Sequence, residues 1–376
     1  MIRIARPFTV SIGIILTASL VAAACGGGGG TTDAPPASPP ASPPVSSPDS
    51  SQSATAPQSS PPVTAPGDPA ALGPDLRVPG LAVYTRGVDI WLQRGADVHL
   101  LLQGSQRIAL FTPALSPDGD RVAYIRFDQA PGNVGDIGSD LHIVNIESGV
   151  DIPIRQHARE GEFYWSPAWS ADGARLFYSH QVNEARDSGG LFSIDIEAID
   201  LDAGSVQVLR ENASEPTVSA DAATLALVDQ PAVGHILAVM NLATGATRTL
   251  LDTTDNLAFF RLPRFSPDGQ WLAFLASGDG PLASATPAAV LPAAWITNGV
   301  QDAWLIRPDG TGLTRLTTVL EDTPYFSWSA DGRQILLRGA FGTYLVEVET
   351  RVTQTLGPGE FHGAHDWAGV LPDDAP

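Results

Sequence analysis

Four groups of residues in the 376-residue chain combine types and spacings that could do chemistry. His362 and His365, three apart with Asp366 beside them, are the side chains a transition metal prefers. On an extended segment, however, residues three apart point to opposite faces, so no metal is assigned to them. A Ser-x-Asp-Gly string comes at Ser116-Pro117-Asp118-Gly119 and again at Ser170-Ala171-Asp172-Gly173, Ser266-Pro267-Asp268-Gly269 and Ser329-Ala330-Asp331-Gly332. A fifth copy, Ser219-Ala220-Asp221, carries Ala222 in the glycine place. Asp187-Ser188-Gly189-Gly190 sets a serine beside a carboxylate without a histidine at useful spacing, and no G-x-S-x-G nucleophile elbow occurs. The fourth group is a single thiol, Cys25, behind three alanines.

A hydroxyl next to a carboxylate suggests a nucleophile, but an enzyme needs one such site and not five equivalent ones. The same four residues make good turn chemistry. Asp bonds nearby backbone N–H groups, and Gly accepts positive φ with no Cβ clash. Apolar runs flank each copy, so the string reads as a hairpin between strands. Ala222 should then cost about 1 kcal/mol of strain or shift the turn type.

The chain carries 21 basic and 41 acidic residues, a formal charge of −20, and every basic residue is Arg. Such a surface repels phosphate backbones and argues against nucleic acid as a partner. Residues 1–24 read as an export signal, with Arg3 and Arg6 ahead of an apolar run that ends in small residues. The string Leu20-Val21-Ala22-Ala23-Ala24-Cys25 resembles the lipobox of bacterial lipoproteins, with Ala22 where that family usually has Leu. The resemblance implies cleavage before Cys25, its lipidation and a membrane anchor; an ordinary A-x-A cleavage site is the alternative. One cysteine gives no intrachain disulfide, so the exported fold must rest on an apolar core.

Residues 25–80 form a Gly-, Pro- and Ser-rich stretch, with 14 Pro and no aromatic residue between Gly26 and Gly80. It reads as a tether of roughly 3 Å per residue, able to hold a domain on the order of 100 Å from a membrane. Residues 372–376 are an acidic tail.

Between them, over 81–371, the chain repeats itself. The motif serines fall at 116, 170, 219, 266 and 329, spacings of 54, 49, 47 and 63 that suit four-stranded blades with variable loops. After each turn comes an apolar second strand (VAYI, LFYS, LALV, LAFL, ILLR), then a third and a fourth with period-2 alternation. Leu81 to Leu102 supplies second, third and fourth strands without a first, and His362 to Val370 supplies a first strand with nothing after it. Together they complete a sixth blade and close the sheet edges. The expected fold is all-β: a six-bladed propeller of four-stranded antiparallel blades, closed by pairing the C-terminal strand with the N-terminal blade.

The repeating pattern P-x-[apolar]-S-[PA]-D-G, followed by D-[IL]-[WH], resembles the TolB-like, WD-repeat-related six-bladed propellers of bacterial envelope proteins over about Leu81 to Val370. The resemblance implies that the loops between second and third strands share one face with the blade-to-blade connections, and that the Ser-x-Asp-Gly turns lie opposite. TolB itself carries a further α/β domain and docks a lipoprotein; the tether replaces that domain here, so that partner is not carried over.

The loops Phe127–Ser139, His180–Gly189 and Ser277–Gln301 would then crowd one side, the last with apolar Leu282, Val290, Leu291 and Trp295. The blade-to-blade segments bring Glu162, Tyr164, Arg261, Glu321, Asp322, His362 and His365 towards the same mouth. The reading is a monomeric, lipid-anchored, non-catalytic propeller, without cofactor, that binds an envelope protein, peptide or glycan through this face. The alternative is a metal-assisted glycan lyase or hydrolase using His362, His365 and carboxylates of the mouth.

Overall fold

Period-2 alternation over short β-branched and aromatic runs yields strands, and the Gly- and Asp-rich strings between them yield tight reversals. The protein is described from a computed structural model covering residues 78–128, 137–183, 192–230, 234–280, 300–322, 324–358 and 364–368. These residues fall within one compact unit, 66–376.

The strands make six antiparallel sheets. Blade A pairs β1 (Leu81–Arg86), β2 (Asp89–Arg94) and β3 (Asp97–Leu102) with the last strand, β25 (His365–Ala368). Blade B is β4 (Ile108–Leu115), β5 (Arg121–Asp128), β6 (Gly138–Asn145) and β7 (Asp151–Arg155). Blade C is β8 (Glu162–Trp169), β9 (Arg175–Asn183), β10 (Phe192–Asp200) and β11 (Val206–Arg210). Blade D is β12 (Ala213–Val218), β13 (Thr224–Asp229), β14 (Ile236–Asn241) and β15 (Thr247–Leu251). Blade E is β16 (Leu257–Phe265), β17 (Leu272–Gly278), β18 (Val300–Ile306) and β19 (Thr314–Arg315), with β20 (Glu321–Asp322) added against β18. Blade F is β21 (Tyr325–Trp328), β22 (Gln334–Arg338), β23 (Gly342–Glu347) and β24 (Thr353–Pro358).

Among the described residues the core is six apolar clusters, each shared by two neighbouring blades. The sixth joins Leu336 of blade F to Ala82, Tyr84 and Trp367 of blade A, so the ring is closed. Closure pairs Ala82 with Trp367 and Tyr84 with His365 across β1 and β25. The Trp367 indole N–H donates to the Pro79 carbonyl at 2.7 Å.

The expected loop His180–Gly189 is shorter than the sequence suggests. β9 continues to Asn183, paired with Phe192 of β10, because alternation of buried and half-exposed residues persists through Gln181.

The repeated turns are built alike. In each, the serine Oγ accepts the backbone N–H five residues on, as from Arg175 to Ser170 at 2.9 Å and from Gln334 to Ser329 at 2.9 Å. Its hydroxyl donates to the aspartate two residues on, as from Ser170 to Asp172 at 2.6 Å. Gly119, Gly173, Gly269 and Gly332 take φ of 74°, 67°, 70° and 69°. Ala222 takes φ of 56° and keeps the same 2.8 Å bond to the Ser219 carbonyl, so this copy holds the turn type and bears the strain.

A second repeated aspartate serves the opposite edge. At the head of the third strand Asp89, Asp140, Asp195 and Asp302 accept the backbone N–H of Gly104, His157, Asn212 and Leu320, at 2.7, 2.8, 3.0 and 3.2 Å. Each of those N–H groups lies in the connection to the next blade, so this aspartate ties the connection down.

The innermost strands carry a third regularity. A proline three residues before the motif serine follows Thr112, Ser166, Glu215 and Leu262, whose φ values are 42°, 49°, 59° and 48°. The ladder register shifts at each of these four places. A bulge with left-handed backbone at a non-glycine residue stores strain, and here it recurs around the central strands.

Candidate functional site

Both kinds of connection meet on one face. The Gly161 N–H, in the connection between blades B and C, donates to the Ile137 carbonyl of the second-to-third-strand loop at 2.8 Å. Asn183, at the end of β9, donates in turn to Gly161 at 2.8 Å, and Gln230 after β13 to Asn212 of the connection between blades C and D at 2.8 Å. The Ser-x-Asp-Gly turns cluster elsewhere, where the Arg121 guanidinium spans from Asp118 to the Gly173 carbonyl of the next turn and lies over Trp169.

Glu162 and Tyr164 come together at the head of β8, where the Tyr164 hydroxyl donates to Glu162 Oε1 at 3.1 Å. They belong to a larger polar cluster between blades B and C. His180, on β9, sets Nε2 2.9 Å from Glu162 Oε1 and Nδ1 2.8 Å from Glu197 Oε1. The Tyr178 hydroxyl donates to Glu197 Oε2 at 2.8 Å, and Arg155 stands 3.9 Å from the same carboxylate and over the Tyr164 ring. The Tyr164 and His180 rings stack at 4.8 Å. The other oxygen of Glu162 accepts the Ala158 N–H at 2.7 Å.

Two carboxylates facing both nitrogens favour the imidazolium, which can donate to each. Burial alone lowers its affinity for a proton, but the bonds and charges of Glu197 and Glu162 outweigh it and raise the His180 pKa. Burial likewise opposes ionisation of Glu162 and Glu197; the Ala158 N–H, His180 and the tyrosine hydroxyls prevail and hold both below the ordinary range. Burial, reinforced by Glu197, pushes the Tyr178 phenol far up.

Arg261 lies apart from this cluster, in blade E. Its Nε is 3.9 Å from Glu215 Oε1 and its guanidinium lies over the Tyr325 ring. Glu215 Oε2 accepts the Leu262 N–H at 3.1 Å. Glu321 is fully buried between blades E and F, taking the Tyr344 hydroxyl at 2.7 Å and the Phe341 N–H at 2.8 Å. Burial, then that hydrogen bond, pushes the Tyr344 phenol up to about 12. Asp322 pairs with Val300 at the edge of blade E.

His365 is 5% exposed and its Nε2 meets the Leu336 carbonyl at 3.0 Å, a bond across the closing joint. Asp366 accepts from Leu115 of blade B and from Trp367, and burial raises its pKa despite the Arg264 charge and these two backbone bonds. Cys25, Trp295 and His362 lie outside the described residues, as does most of the apolar insertion. Among the described residues no group of three His, Cys, Asp or Glu side chains is arranged to hold a metal ion.

The structure therefore brings Glu162 and Tyr164 together, sets Arg261, Asp322 and His365 in other blades, and turns most of these side chains between blades, with Glu162 and Arg261 each 7% exposed. Sequence reasoning missed His180 and Glu197. Their signal was polar residues at two-residue spacing in strands otherwise apolar, Tyr178-x-His180 beside Glu162-x-Tyr164.

No family model and no curated protein matches the chain. Solved structures do match its fold. TolB from Acinetobacter baumannii superimposes with TM-score 0.55 at 15% identity, covering 77% of this chain and 67% of that one. A chain of the nidogen/laminin complex superimposes with TM-score 0.52 at 12% identity, covering 74% and 93%. Six four-stranded blades, five Ser-x-Asp turns and this superposition together identify the fold of the chain as the TolB-like six-bladed β-propeller.

Proposed function

We propose that the protein is a surface-tethered, non-catalytic propeller that binds a protein, peptide or glycan over its loop-rich face. The observation that carries this reading is the gathering of loops and blade connections on one face by backbone bonds such as Gly161 to Ile137 and Asn183 to Gly161. Variable segments on a rigid scaffold are where binding is usually placed. A ring of six interlocked apolar clusters is such a scaffold.

The buried positions of Glu162, Tyr164, Arg261 and His365 leave recognition to the exposed connections; Trp295 and His362 are proposed contacts. Cys25 is the proposed lipid attachment point, residues 1–24 the export signal and 25–80 the tether. The matching chain of the nidogen/laminin complex belongs to an assembly of two proteins, which supports the use of this fold for docking.

The test compares cross-linking of the tethered protein, in its own envelope, between two sets of variants. Bulky charged substitutions at exposed connection residues such as Ala158 should abolish a specific adduct; the same substitution at exposed turn residues such as Ala171 should not. An adduct equally sensitive to both faces, or to neither, rejects the reading. Loss of metabolic fatty-acid labelling in Cys25→Ala tests the anchor.

A further inference from the structure

The connection between blades B and C, residues 156–161, is fastened by two carboxylates, and one of them is shared with an imidazole. Asp140 Oδ1 accepts the His157 N–H at 2.8 Å and faces His157 Nδ1 at 2.6 Å. Glu162 Oε2 accepts the Ala158 N–H at 2.7 Å, while Glu162 Oε1 faces His180 Nε2 at 2.9 Å. Ala158, Arg159 and Glu160 between these anchors are exposed, whereas Gly161 and Glu162 are buried.

The groups around His180 come from every neighbouring element. Glu162 and Tyr164 stand on β8, Tyr178 on β9 and Glu197 on β10, with Asp195, its register partner, bonded to the Asn212 N–H of the following connection. Arg155 approaches from β7 of blade B, and the connection itself contributes His157, Arg159 and Glu160. Glu162 and Glu197 balance His180 and Arg155 while the imidazole is protonated. Loss of that proton leaves a net negative charge in a half-buried site and turns a lone pair towards one carboxylate.

Glu197 is the less able to leave. It sits inside β10, holds the Tyr178 hydroxyl and has Arg155 beside it. Glu162 begins β8 at the edge of the sheet, so outward rotation towards water relieves the charge at the expense of the Ala158 bond and of the 3.1 Å bond from the Tyr164 hydroxyl, longer than the 2.8 Å bond that holds Glu197.

We propose that His180 is a proton-operated latch, whose deprotonation releases Glu162 and with it the connection 156–161 on the loop-rich face. The latch acts on the fold itself and holds whether or not that face binds a partner. It gives an exported protein a local response to alkaline surroundings, with the six apolar clusters unaffected.

The test is amide hydrogen exchange on the full chain at about pH 6 and about pH 9, a range that spans an elevated histidine titration, corrected for base catalysis of exchange. Protection at Ala158, Gly161 and Glu162, and at Asn183 whose N–H donates to the Gly161 carbonyl, should fall by about tenfold or more at the higher pH, while the other amides of β9 and those of β10 keep theirs. Glu162→Gln can donate to the neutral imidazole and still accept from Ala158, so this variant should stay closed at the higher pH. Unchanged protection of 156–162 in the natural protein overturns the proposal without any variant. A Glu162→Gln protein that opens as the natural one does overturns it equally.

Discussion

At the scale of single residues, the repeated serine and aspartate are backbone acceptors and not reactive groups. Ser170 is almost wholly buried, its Oγ receives the Arg175 N–H and its hydroxyl serves Asp172. Ser170→Ala should therefore cost about 1–2 kcal/mol in chemical denaturation, since it strands a buried donor, and Ser329→Ala should cost about the same. Ala222 is the converse case. A Cβ at φ 56° is strained where the other copies have glycine, so Ala222→Gly should raise stability by about 0.5–1 kcal/mol despite the added freedom of the unfolded chain. A loss of stability would show that the Ala222 side chain makes contacts the turn needs.

At the scale of elements, β25 decides whether the ring exists. It gives blade A its first strand, and Trp367 packs against Leu336 of blade F while Asp366 reaches Leu115 of blade B. Trp367→Ala removes a buried indole together with its bond to Pro79, which should cost about 3–5 kcal/mol in a denaturant titration. Truncation after residue 363 should go further and expose the β1 edge, read as self-association by light scattering. The connections obey a parallel rule. Asp89→Ala frees the Gly104 N–H and should loosen that connection by about 1–2 kcal/mol in exchange measurements, with β2 itself unaffected.

For the whole molecule, stability against pH follows from groups with opposite shifts. The folded pKa of His180 is raised above the ordinary 6.5, so its contribution is complete below that value and fades as pH rises through the folded pKa. Glu162 and Glu197 lie below the ordinary 4.5; their contribution is present above it and fades as pH falls through their folded values. Thermal melts should thus show greatest stability between about pH 5 and 6.5, declining on both sides. Glu162→Gln should remove part of the alkaline decline, and an unchanged profile would show that other groups govern it. The formal charge of −20 predicts no retention of duplex DNA even at low salt, read by mobility shift.

The sequence by itself determined the number of blades, the place of each turn and the closing strand, because these depend on local rules. Strand alternation has a period of two, a left-handed turn position calls for glycine or tolerates alanine under strain, and an unpaired first strand at one end matches a deficit at the other. It also assigned Glu162 and Tyr164 to a blade-to-blade segment, where the structure has the start of β8, the first strand of blade C. It could not say which way their side chains turn, since the inward face of a strand is fixed only when the neighbouring blade arrives. Tertiary structure alone joined His180 to Glu162 and to Glu197, 18 and 17 residues away. It also withdrew His365 into the closing joint. Hydrogen bonds between strands follow from packing geometry across the ring, and no spacing along the chain records them.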